Sequence, residues 1–135
     1  MVISAESIKR LAKEYGADLV GISNVERFEG TPKNRDPRFI APAAQSVIGV
    51  GFRVLRGSLR GVEEGTQFHQ FSEMGVVHID EILAPTVLRR ITCALEDAGY
   101  ESVPLRSEPD RQPASFPGTN PELSLIHISE PTRPY

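Results

Sequence analysis

The stretch Ser46 to Val54 reads SVIGVGFRV, and it constrains the fold more than any other part of the chain. Its apolar side chains run almost without a break instead of alternating with polar ones. A strand of that kind is buried on both faces. Gly49 and Gly51 fall two apart, on one face, where the missing side chains admit a close neighbour. A packed helix is the ordinary neighbour, and a bound ligand is the alternative.

The flanks supply helices. Ile8, Leu11, Ala12 and Tyr15 repeat at i, i+3, i+4 and i+7, with Lys9, Arg10, Lys13 and Glu14 on the other face. Ser4 is a fitting N-cap and Gly16 a fitting stop, so a first helix is predicted between them. Asp18 to Ser23 (DLVGIS) predicts a short buried strand. Val76 to Tyr100 predicts a second helical region, with a stripe at Leu88, Ile91, Leu95 and Ala98. Pro85 breaks it, because a helix-interior proline costs about 3 kcal/mol, so a kink or a fresh start is expected there. Glu101 to Leu105 (ESVPL) predicts a last strand, at an edge because of Pro104. Asn24 to Gln45, with Pro32, Pro37 and Pro42, predicts a long loop. Leu55 to Gly75 fits no periodic element. The expected class is α/β, an α+β layer architecture with two main helices and a small, incomplete mixed sheet of three strands.

The last residues impose a different constraint. Leu123 to Arg133 reads LSLIHISEPTR, which is what translation of a transposon adapter used in sequencing libraries gives. Such scars are excluded from fold reasoning. The expected division is therefore 1–122, a truncated α/β domain, and 123–135, an adapter-derived tail. His127 receives no role. A short native strand at Leu125 to Ile128 is the competing reading.

Composition narrows function by exclusion. A net charge of -3 gives no footing for a nucleic-acid or polybasic membrane surface. One cysteine, Cys93, excludes an internal disulfide and any multi-cysteine metal site within this chain. Cys93 sits beside the apolar stripe and is expected to be a small core residue. No apolar run reaches the roughly 18 residues of a membrane span, and the N-terminus lacks a signal-peptide pattern, so a cytoplasmic location is expected. GxGxxG, P-loop, HExxH and CxxC motifs are all missing. His69 and His78 lack further ligands at suitable spacing and are expected to be surface or core histidines. Arg53, Arg56 and Arg60 follow the best strand. A solvated loop explains them simply, while an anion or cofactor-phosphate contact at the strand's carboxyl end is the sharper reading. Glu63 and Glu64 follow at once and offset part of their charge.

Four stretches, taken in order, resemble the N-terminal region of epoxyqueuosine-reductase-like iron–sulfur proteins. They are Ile8 to Ile22 (IKRLAKEYGADLVGI), Pro42 to Gly51 (PAAQSVIGVG), Leu88 to Tyr100 (ending ALEDAGY) and Glu101 to Leu105 (ESVPL). The resemblance implies an oxidoreductase whose ferredoxin-like C-terminal part, absent here, holds [4Fe–4S] clusters through CxxCxxCxxxCP runs. It implies cobalamin in the α/β part, electron transfer from the clusters to the corrinoid or substrate, and a modified tRNA base as substrate. The fragment by itself is expected to be inactive. The partner it implies is its own C-terminal part, with an unspecified electron donor. No single stretch is a catalytic motif. A stand-alone module binding a small ligand near Arg53 to Gly75 is the competing reading.

Overall fold

A computed structural model describes residues 3–105. Helix α1 (Ala5–Tyr15) begins at Ser4, whose hydroxyl accepts from the Ser7 N–H at 3.1 Å. The Ser7 hydroxyl accepts from the Ser4 N–H at 2.8 Å, which closes a reciprocal cap. Gly16, at φ 121, ends the helix in a conformation that a side chain would strain.

Strands β1 (Leu19–Asn24) and β2 (Ser46–Gly51) pair antiparallel, Leu19 opposite Gly51 and Asn24 opposite Ser46. Val20, Ile22, Ile48 and Val50 share one face in this register. The helices cover that face. Ala12 and Ala17 meet Val50 there, together with Val87, Ile91 and Leu95. Val50 and Val87 are the largest fully buried side chains. Arg90 adds a cation–π contact between the helices, 5.9 Å from the Tyr15 ring centre. Gly49 and Gly51 are also buried, but on the opposite face. Packing of α1 and α3 (Ala84–Asp97) therefore does not account for them.

The class is the expected one, a small mixed α/β fold with two main helices. Several elements differ in extent. The second strand stops at Gly51, three residues short of Val54. Its partner begins at Leu19, so Phe52 onward has nothing on β1 to pair with. Glu101 to Leu105 is not a strand, and the sheet has two strands among the described residues. Strand propensity alone does not make a strand without a neighbouring ladder. The long loop holds three single 3-10 turns, Val25–Phe28, Lys33–Arg35 and Pro37–Phe39.

The second helical region starts earlier than the periodicity predicts. Phe71–Leu83 is a π-helix of 13 residues, and α3 follows it directly. Pro85 lies in the first turn of α3, so the fresh start is what occurs. The wide winding has a packing cause. Gly75 and Ala84 are both buried, and they stand nine residues apart. In an α-helix nine residues make about 2.5 turns, which puts the two on opposite sides. Closing the helix with i to i+5 bonds, as Ala84 N–H does to Ile79 C=O, brings both inward. The absent Cβ of Gly75 permits this, since one built there would stand 2.8 Å from Phe71 Cδ1.

Candidate functional site

The three arginines singled out in the sequence lie where β2 gives way to a 3-10 turn (Arg56–Leu59) and the short helix α2 (Arg60–Glu64). Asp18 fastens the start of this segment. Its N–H donates to Gly51 C=O at 3.0 Å, and its Oδ2 accepts from the Arg53 N–H at 2.8 Å. One residue thus closes the end of the sheet and aligns the chain leaving it.

The guanidinium groups then diverge in role. Arg56 forks onto Glu63, Nη2 to Oε2 at 2.9 Å and Nη1 to Oε1 in parallel. The Glu63 hydrogen bonds raise the Arg56 pKa above its ordinary value. Arg60 Nη2 reaches Glu64 Oε1 at 3.2 Å, one helical turn on. Among the described residues the Arg53 guanidinium meets no carboxylate, and it is exposed. A phosphate approaching Arg56 or Arg60 must first displace Glu63 or Glu64. Solvent screens exposed pairs of this kind, so a dianion can compete. The sheet is antiparallel, so the carboxyl end of β2 adjoins the amino end of β1. The rule that ligands gather at the carboxyl ends of parallel strands has no purchase on this geometry.

A second charged centre was hidden in the loop. The Asp36 carboxylate takes Arg38 Nη2 at 2.6 Å and Nε at 3.0 and 3.1 Å, and it also accepts the Arg38 N–H at 2.8 Å. The Arg38 guanidinium bonds hold its pKa below the ordinary value, against a smaller opposing effect of burial. Asp36 followed by Pro37 is a cap-then-proline pattern, readable as the start of a helical turn.

The remaining candidates separate. Cys93 is exposed, not a core residue, because it falls two positions beyond Ile91 and off the inward row Val87, Ile91, Leu95. His69 is exposed with Nε2 4.0 Å from Glu73, and His78 is half-buried. Among the described residues no group of three His, Cys, Asp or Glu side chains could hold a metal ion. A cavity of about 10 Å³ lies between α1 and α3, lined by Ile3, Ile8, Leu11, Ile91, Ala94 and Leu95. It is apolar and offers a water no hydrogen-bond partner. No described helix is long and apolar enough to cross a membrane. Comparison with family models, with curated proteins and with solved structures finds no match for this chain.

Proposed function

We propose that residues 1–122 are the α/β part of an iron–sulfur oxidoreductase of the epoxyqueuosine-reductase-like type, and that residues 123–135 are not native to it. The observation that carries this reading is where the resembling stretches lie. Three of the four form α1, β1, β2 and α3, and these contribute Ala12, Ala17, Val50, Ile91 and Leu95 to one core. The likeness thus falls on residues that pack together, in the order the chain presents them. The fourth stretch, Glu101 to Leu105, follows α3 without pairing into the sheet.

The clusters of that family do not fit the cysteine count of this chain. A [4Fe–4S] cluster takes four thiolates and this chain has one cysteine. The cavity between the helices is lined by apolar side chains alone and offers a corrinoid no polar partner. In this reading the clusters belong to a ferredoxin-like part beyond residue 122, and no reaction step is assigned to the residues present. Their work is to turn Arg53 toward an anionic group, with Arg56 and Arg60 held by Glu63 and Glu64 beside it, and to offer a surface to that part. Catalysis requires both parts, and tRNA would be a substrate of the whole protein only.

The source DNA decides the matter. Sequencing past the codon for Glu122 is expected to show the frame running on into two CxxCxxCxxxCP runs. The encoded protein, purified without oxygen, is then expected to carry iron and acid-labile sulfide. A genome that encodes Leu123 to Tyr135 and then stops overturns this. The small-ligand module around Arg53 to Gly75 would take its place.

A further inference from the structure

We draw no further inference here: the strongest candidate, the glycine-lined face of the sheet where Gly21, Gly49 and Gly51 lie opposite the helix-covered side, is a stripe of small residues that makes no site by itself, and nothing among the described residues shows what covers it.

Discussion

Asp36 shows how one side chain can hold a turn in two ways, as a cap for the Arg38 N–H and as a fork for its guanidinium. Its depressed pKa fixes the sign of a pH effect. A carboxylate whose folded value lies below its unfolded value of 3.8 stabilises fully above that value, and the contribution disappears as pH falls through the folded value. Asp36→Asn is therefore expected to cost about 0.5 kcal/mol at pH 7, as a partly exposed pair does. The gap in thermal midpoint between wild type and variant should close below pH 3.8. A gap that stays constant down to pH 2 counts against the pair. The Asp-Pro-Arg order made this turn legible in principle, since a cap, a fixed φ and a cation follow one another. The arginine trio shows the opposite. Sequence places Arg53, Arg56 and Arg60 together, but which of them meets Glu63 or Glu64 depends on a 3-10 turn that no periodicity announces.

Among the elements, α1 and α3 were legible because their signals are local. Ser4 caps, Gly16 stops, and Leu88, Ile91 and Leu95 repeat at helical spacing, although the structure buries Val87 where the stripe had Leu88. The π-helix was not. Its winding goes with the burial of both Gly75 and Ala84, a demand set by neighbours such as Val54 and not by the segment itself. Glu101 to Leu105 failed for a related reason, because a strand needs a neighbour. Gly75→Ala discriminates the π winding from an ordinary helix. In an exposed α-helix the change gains up to about 1 kcal/mol from propensity. Here the new methyl group would lie 2.8 Å from the Phe71 ring, so it is expected to destabilise by about 1 kcal/mol or more. Thermal melts of the two proteins check this, and a raised midpoint in Gly75→Ala would show that the segment winds as α.

The described residues bury few large side chains, with Val50 and Val87 the largest that are fully covered. A two-stranded sheet has little stability of its own and relies on the helices laid across it. The expressed chain is therefore expected to unfold over a broad, shallow urea transition. Val50→Ala removes packing at the one point where β2, α1 and α3 converge. It should cost about 2 kcal/mol, enough to populate the unfolded chain without denaturant. A sharp transition in the wild type, shifted but equally steep in Val50→Ala, would contradict this view of a marginal core.

The pairing of Asn24 with Ser46 also sets the order of events in folding. The two strands cannot meet until the chain between them closes on itself, whereas the first turns of α1 and α3 need only their own neighbours. The entropy of that closure grows with the logarithm of the intervening length, so halving it would relieve only about 0.6 kcal/mol. Helices should thus appear first and the ladder last, with the turn at Asp36 shortening the search by stiffening the segment that has to come round. The speed at which this chain reaches its native state is set in the connection between its strands, and its resistance to unfolding in the helices that cover them.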